Sequence, residues 1–383
     1  MSQTATAPRR RFAIYAITKH GLAIGETLKQ QLSGADLWVS HKFADSAPTG
    51  SLTLPLPFGP KLAEQFTDYD AHIFIISVGA VVRMISPLLK NKKVDPAVIC
   101  VDDKAQFAIS LLSGHVGRGN EFTLSVAQAL NATPVITTAS DVQGTLTVDI
   151  LGRDKGWVLE DDHHNITAGC AAVVNEVPVL FVQETGEPDF WPLTKPLPSH
   201  IRYTDELTDE SAIAEAEMIL YVTDRSRATI DDEVYRKAVV YRPQSLVVGI
   251  GCDRGTSRDV LERGLMTILD QFGLSPKSIA CLTTLEAKGD EQGLLELAES
   301  YDWPLVLYPA DELDQAQGIE NPSPTVKKYM GTRTVAEGAA LLASAASALL
   351  VPKQKYQDAT SQKNMTVAIC RKPFAKRQEI DHE

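Results

Sequence analysis

The order of apolar and polar positions in the first third of the chain alternates between two periods. "FAIYAIT" (12–18) reads as a short apolar strand, and "LAIGETLKQQL" (22–32) places its apolar residues at helical spacing. "HIFIISVG" (72–79) is a β-branched run closed by a glycine, and "AVVRMISPLLK" (80–90) follows as a helix that Pro87 breaks or kinks. "AVICVD" (97–102) and "FAIS" (107–110) predict further strands. "GNEFTLSVAQAL" (119–130) predicts a helix with Phe122, Val126 and Ala129 or Leu130 on one face, and "TPVITTASD" (133–141) a strand running into a polar turn. Strand and helix in alternation predict an N-terminal α/β domain with a mainly parallel sheet, residues 1–142.

From 143 to 243 the pattern loosens into short strands among prolines and acidic turns. This predicts a small middle α+β segment that ends in a basic linker, "VYRKAVVYRPQS" (234–245). The alternation restarts with the strand and turn of "LVVGIGCDRGTS" (246–257) and the helix "RDVLERGLMTIL" (258–269). Strand, turn and helix recur in "IACLTTLEAKGDEQGLLELAESY" (279–301), and "PLVLYP" (304–309) is one more strand. "TVAEGAALLASAASALL" (334–350) reads as one Ala/Leu-rich helix and "MTVAICRK" (365–372) as a closing strand. The expectation is a multi-domain α/β protein whose C-terminal α/β domain, residues 244–383, ends in a mobile tail.

Composition narrows the function classes. Hydrophobic residues make up 44% and charged residues 22%, ordinary values for a globular protein. A net charge of −12 argues against nucleic acid as a partner, yet an acidic ligand still fits a local basic pocket. The five cysteines are odd in number and far apart, with no CxxC pair; they read as reduced thiols of a cytoplasmic protein, and Cys100, Cys281 and Cys370 as core residues. After Arg9–Arg11 the apolar run is too short for a signal peptide, and no segment is long enough to span a bilayer, so no membrane partner is expected.

Three glycine-bearing corners share one design, in which a strand enters a Gly/Ser/Thr turn that opens a helix: "ISVGAVVR" (76–83), "LLSGHVGRGNE" (111–121) and "GIGCDRGTS" (249–257). Such corners lie beyond strand carboxyl ends, where open sheets bind ligands, and free N–H groups at a helix start attract anions. None is a Walker A loop, and Gly249, Gly251 and Gly255 are one residue too widely spaced for GxGxxG. In the second corner the plain alternative is a tight turn at Gly117 and Gly119, an Asn120 cap and a solvated His115. The chemical one makes His115 a base toward water, with backbone donors for an oxyanion and Gly114 in the same turn. Ser113 is a nucleophile, ligand or cap, although no GxSxG elbow is present. Ser77 and Gly79 begin the first corner, and Arg83 is a surface ion pair or a carboxylate fork. Thr137, Thr138 and Asp141 are cap residues or pocket donors. In the last domain Gly251, Arg254, Gly255, Thr256 and Thr284 are candidate anion contacts. Cys252 is a low-pKa thiol or a small half-buried one, and Glu286 and Lys288 pair with each other or face a ligand. The adjacent His163 and His164 point apart in most conformations and do not suit one metal.

Longer motifs carry a resemblance. "SVGAVVRMISPLLKNKKVDPAV", "VDDKAQFAISLLSGHVGRGNEF" and "ATPVITTASD" follow the order and spacing of the CbiG family, the cobalt-precorrin-5A hydrolases of anaerobic cobalamin biosynthesis. "LVVGIGCDRGTS", "LTTLEAKGDEQGLLELA" and "GTRTVAEGAALLAS" resemble that family's C-terminal domain, which also occurs as a stand-alone protein. The match spans about residues 12–372, with one departure at Arg118 and Gly119, where the family commonly has Gly or Ala. The resemblance implies hydrolysis of a ring A δ-lactone and loss of a two-carbon unit as acetaldehyde, giving cobalt-precorrin-5B. It implies a cobalt-corrinoid intermediate as ligand, neighbouring pathway methyltransferases as partners, and no cofactor, since the cobalt belongs to the substrate. His115, with Ser113 and Glu121 beside it, is then the expected catalytic group, Glu121 being a second proton acceptor. The alternatives are a tetrapyrrole carrier without chemistry and a phosphate- or nucleotide-binding enzyme.

Overall fold

The computed structural model describes residues 11–55, 57–160, 165–191 and 195–375. His163, His164, Arg9, Arg10 and the last part of the expected tail lie outside the described residues. The chain divides into two compact units, Met1–Ile150 and Leu151–Glu383.

The first unit is a seven-stranded sheet between two helical layers. Its strands are β1 (Phe12–Ala16), β2 (Ala35–Ser40), β3 (Leu52–Leu54), β4 (Ala71–Ile75), β5 (Ala97–Val101), β6 (Phe107–Leu112) and β7 (Thr133–Val135), in the spatial order 3-2-1-4-5-6-7. Strands β1, β4 and β5 are buried along their whole length, as parallel strands covered on both faces must be. The helices are α1 (Lys19–Gln31), α2 (Phe58–Gln65), α3 (Val78–Ile85), α4 (Gly119–Leu130) and α5 (Ala139–Gln143). Because strand side chains alternate, Ile14, Ile73 and Ile99 meet Leu28, Phe122 and Val126 of α1 and α4 on one face. Tyr15, Phe74 and Val98 meet Leu62, Val81 and Ile85 of α2 and α3 on the other. Pro87 acts as expected: α3 stops at Ile85 and a 3-10 turn, Ser86–Leu88, follows.

One pairing sets the position of the second glycine corner. Strand β6 runs antiparallel to β5, with Leu112 beside Val98. The chain therefore leaves β6 at the sheet edge where β5 begins. Strand β4 is parallel to β5, with Ile75 beside Val101, so Ser77 and Gly79 lie at the edge where β5 ends. The first two corners thus occupy opposite edges of one sheet, although both follow a strand; the reversal at residues 102–106 separates them.

The second unit holds two further sheets. The first contains β8 (Val158–Glu160), β9 (Val179–Gln183), β10 (Ile201–Thr204), β11 (Met218–Val222) and β12 (Ala238–Arg242), ordered 10-9-11-12-8 and parallel apart from β8. Helices α6 (Asn165–Val174), α7 (Glu210–Glu215) and α8 (Asp232–Arg236) belong to this part. Residues 238–242, read above as linker, are β12, buried throughout; the Arg242 guanidinium is buried too and bonds Glu160 at 2.9 Å. The second sheet contains β13 (Leu246–Cys252), β14 (Ile279–Leu285), β15 (Leu305–Tyr308), β16 (Val351–Gln357) and β17 (Asn364–Arg371), ordered 15-14-13-17-16. Helices α9 (Arg258–Gln271), α10 (Gln292–Ser300), α11 (Ala310–Gln315), α12 (Pro324–Met330) and α13 (Ala336–Ser344) complete it. Helix α13 is shorter than the alanine run suggests, because the Ser344 hydroxyl accepts the Ala346 N–H and Ala345 turns left-handed at φ 54°. Among the described residues no helix is long and apolar enough to cross a membrane.

Candidate active site

The loop from Ser113 to Arg118 closes the mouth of α4. Its left-handed residues are not glycines: Ser113 and Arg118 take φ of 57° and 61°. Gly117 and Gly119 are there for space. A Cβ on Gly117 would lie 2.5 Å from Ser113 Cβ, and one on Gly119 would lie 2.8 Å from the Leu112 carbonyl. The tight loop also closes helix donors onto itself. Gly119 N–H donates to Ser113 O and Asn120 N–H to Gly114 O, each at 2.9 Å. These two amides are therefore not open to an oxyanion. Arg118, not Asn120, holds the cap position.

Asn120 lies inside the first turn of α4, buried, where its amide organises a polar network. Its Oδ1 accepts from Ser110 at 2.7 Å, and its Nδ2 donates to Thr138 Oγ1 at 2.8 Å and Asp141 Oδ2 at 2.9 Å. The Thr138 hydroxyl donates to the same Asp141 oxygen at 2.6 Å. His115 Nε2 donates to it as well, at 2.7 Å, and Ser140 Oγ stands 3.2 Å from that nitrogen. On the other side of the ring, Nδ1 faces Asp149 Oδ1 at 3.3 Å, an ion-pair distance. His115 is thus clamped between two carboxylates, with 18% of its side chain exposed; Asp141 is 38% exposed and Asp149 9%.

This geometry biases the charges. Asp149 does most to raise the His115 pKa; burial works against it, and Asp141 adds to the rise. Burial opposes ionisation of Asp141, but the Thr138 hydroxyl and His115 prevail and hold its carboxyl below the usual range. For Asp149 burial is likewise overcome, by His115 and then Lys92. The two carboxylates thus favour the protonated form of His115, and the imidazole in turn favours their ionised forms. Among the described residues no group of three His, Cys, Asp or Glu side chains is arranged to hold a metal ion.

The models that match the chain are Cobalamin synthesis G N-terminal over residues 61–141, Cobalamin biosynthesis central region over 146–243 and Cobalamin synthesis G C-terminus over 246–370. The chain is 41% identical to Cobalt-precorrin-5A hydrolase of Priestia megaterium, over 96% of each protein. The chain belongs to the cobalamin synthesis G (CbiG) family. It is 29% identical to Cobalt-precorrin-5A hydrolase of Salmonella typhimurium over 88% of this chain and 93% of that one. A stretch of 107 residues is 33% identical to Protein CobE of a Sinorhizobium species, 28% of this chain and 70% of that one. The protein is a hydrolase of cobalamin biosynthesis.

In this CbiG protein the other expected site residues fall into separate groups. Ser77 begins α3 without a side-chain cap, Gly79 is exposed, and Arg83 Nη1 donates to Gly79 O at 2.8 Å. Thr137 is exposed. Ser113 Oγ is buried with no hydrogen-bond partner. Glu121 turns to Arg118, which donates to it at 2.7 and 2.9 Å. In the second unit the corner is organised by a residue the motif reading passed over, the buried Glu291. It accepts the Gly255 N–H at 2.9 Å and Lys288 at 3.1 Å, with Arg254 Nε at 3.3 Å. Lys288 therefore pairs with Glu291, not with Glu286, which is exposed. Arg254 also meets Asp290 at 2.5 Å. Gly255 takes φ 68°, Thr256 donates to Asp253 O, and the buried Thr284 donates to Ile250 O. Gly251 sits against Thr366. Burial pushes the Cys252 thiol up, the opposite of an activated thiol.

Sequence reasoning also missed Ser110, Ser140 and Asp149 around His115. Asp149 had a signal of a kind, an acidic residue just past the last motif; nothing in its spacing tied it to His115.

Proposed function

We propose that this protein opens the ring A δ-lactone of cobalt-precorrin-5A with water and releases the two-carbon unit as acetaldehyde, leaving cobalt-precorrin-5B. The observation that carries the site assignment is the His115 ring held between Asp141 and Asp149 at a partly open loop. The outer oxygen of Asp141 takes a proton from the attacking water. The imidazolium of His115 donates to the lactone carbonyl oxygen as negative charge develops there. The acyl C–O bond then breaks, giving a ring A carboxylate and an alcohol. His115, having delivered its proton, takes the alcohol proton; the C–C bond to the macrocycle breaks as the aldehyde C=O forms, and the electron pair stays in the conjugated ring. A placed acid or base accounts for roughly 10²–10⁴ in rate, and a good oxyanion donor for about 3 kcal/mol of barrier. The five cysteines, odd in number and without a CxxC pair, fit a cytoplasmic setting, where pathway methyltransferases would supply and receive such labile intermediates.

The test is incubation of the pure protein with cobalt-precorrin-5A, following product mass and trapped acetaldehyde. Release of acetaldehyde is expected from the wild type and not from His115→Gln. Tight binding without any turnover would instead favour the carrier reading.

A further inference from the structure

The chain is acidic, yet the segment beside His115 is not. Between Asp70 and Asp95 it carries no Asp or Glu, while Lys90, Lys92 and Lys93 fall within four residues. The loop that holds them leads into β5 at the same sheet edge as His115. Its shape is fixed from inside. The buried Asp95 accepts the Lys90 N–H through both carboxylate oxygens at 3.0 Å, and Asn91 Oδ1 accepts the Lys93 N–H at 2.9 Å. The Asp95 carbonyl abuts Gly117, where a Cβ would stand 3.3 Å away, so the lysine loop and the His115 loop are packed together.

Lys92 Nζ lies 3.9 Å from Asp149 Oδ2, and 58% of the Lys92 side chain is exposed. That distance is an ion-pair contact too long for a direct hydrogen bond. An ammonium carries three donors, so Asp149 leaves most of this one open. The charge around the ring also asks for a cation. Even with His115 protonated, the two carboxylates leave a net negative charge, which repels any incoming carboxylate, and Lys92 offsets it.

We propose that Lys92 is a carboxylate-binding residue, which receives a peripheral carboxylate of the macrocycle and so turns the lactone edge toward His115. This rests on the polycarboxylate substrate proposed above. Lys90 and Lys93 add to the local potential that draws such a ligand to an acidic protein.

The test pairs kinetics with binding. Cobyrinic acid, a corrinoid with free carboxylates, and cobinamide, with amides in their place, are titrated by corrin absorbance into the full-length wild type, Lys92→Gln, Lys92→Arg and Lys92→Glu. Losing one charge-assisted hydrogen bond should weaken cobyrinic acid binding about tenfold in Lys92→Gln, and by more in Lys92→Glu. Lys92→Arg should keep most of the affinity, and cobinamide should bind all four proteins alike. With cobalt-precorrin-5A the KM should rise in Lys92→Gln while kcat changes little, and added salt should affect it less than the wild type. Equal binding of cobyrinic acid by wild type and Lys92→Gln, or cobinamide binding as tightly as cobyrinic acid, overturns the proposal. If the wild type turns over cobalt-precorrin-5A while Lys92→Gln binds like it, this site falls and the reaction stands. If the wild type shows no turnover but binds cobyrinic acid through Lys92, the reaction falls and this site stands.

Discussion

Two histidines of the first unit are tuned in opposite directions. His72 lies inside β4, sealed from water among Phe66, Tyr69, Phe74 and Tyr15. Its Nε2–H donates to the Phe66 carbonyl at 2.9 Å, its Nδ1 accepts from Tyr15 at 2.9 Å, and Gln65 donates to that same phenol at 2.8 Å. Burial pushes the His72 pKa down to about 4. His115 faces two carboxylates at a half-open loop and is pushed up, mainly by Asp149. One imidazole is pushed toward its neutral form and the other toward its charged form. Only the second holds its proton more readily than a free imidazole and is partly open to solvent. The difference shows what separates a packed histidine from a reactive one, namely the charge of its neighbours and access to solvent.

The sharpest way to break the comparison is to remove each ring. His115→Ala should lower lactone opening by roughly 10²–10⁴ with the fold intact, read as product mass against time. A loss below about threefold would end the assignment of His115 to proton transfer. The His72 prediction concerns stability, and its sign follows from the shift. The unfolded chain binds a proton near pH 6.5, whereas the folded one resists until about 4. His72 therefore contributes stability in full above pH 6.5, and this is lost as the pH falls toward 4; the loss is about 3 kcal/mol. Hydrogen exchange in β4 should accelerate over that interval. His115 behaves inversely. Its folded pKa is raised, so its contribution is complete below the ordinary histidine value and fades as the pH rises through the folded one.

A smaller change should move the pH profile without abolishing activity. Asp149→Asn removes the largest support of the imidazolium. If His115 acts first as an acid, activity falls as the pH rises past its pKa, and the variant should shift that fall to lower pH. Asp141→Asn should shift it less, while lowering kcat through loss of the proposed water acceptor. An activity that rises with pH over the same range would make His115 a base from the start.

The two histidines also mark how far the sequence could be read. The α/β alternation of the first domain, the break at Pro87 and the start of α4 at residue 119 follow from apolar period and turn residues, which act locally. The middle sheet was harder to read, because strands such as Val158–Glu160 and helices such as Asp232–Arg236 are too short to display a period. Strand β16, "VPKQKYQ", is a polar edge strand, and its lysines hid it. At the site, Ser113, His115 and Asn120 stood out as polar side chains among glycines, and Thr138 and Asp141 as cap residues or pocket donors at a strand end. Asp149 was not, since its link to His115 spans 34 residues and exists only after folding. Glu291 was missed for the same reason. The reversal of β6 against β5 is a pairing choice, so no local pattern announced that the first two corners would part.

The smallest expected effect separates the His115 cluster from the acidic residue on the first turn of α4. Glu121 stands on the first turn of α4 and was an attractive second proton acceptor, being a carboxylate six residues from His115. In the fold its Oε2 takes both the Nε and Nη2 protons of Arg118. A carboxylate occupied in this way by an exposed guanidinium is screened by solvent, so it has little to offer a transition state at His115. Glu121→Gln should therefore keep kcat within about threefold of wild type, below what a placed base contributes, and should leave the pH profile where it is. Asp149→Asn, at the same formal loss of one charge, should move that profile. If instead Glu121→Gln reduces kcat as strongly as His115→Ala, the proton taken from the alcohol goes to Glu121, and the two residues share the chemistry assigned above to His115 alone.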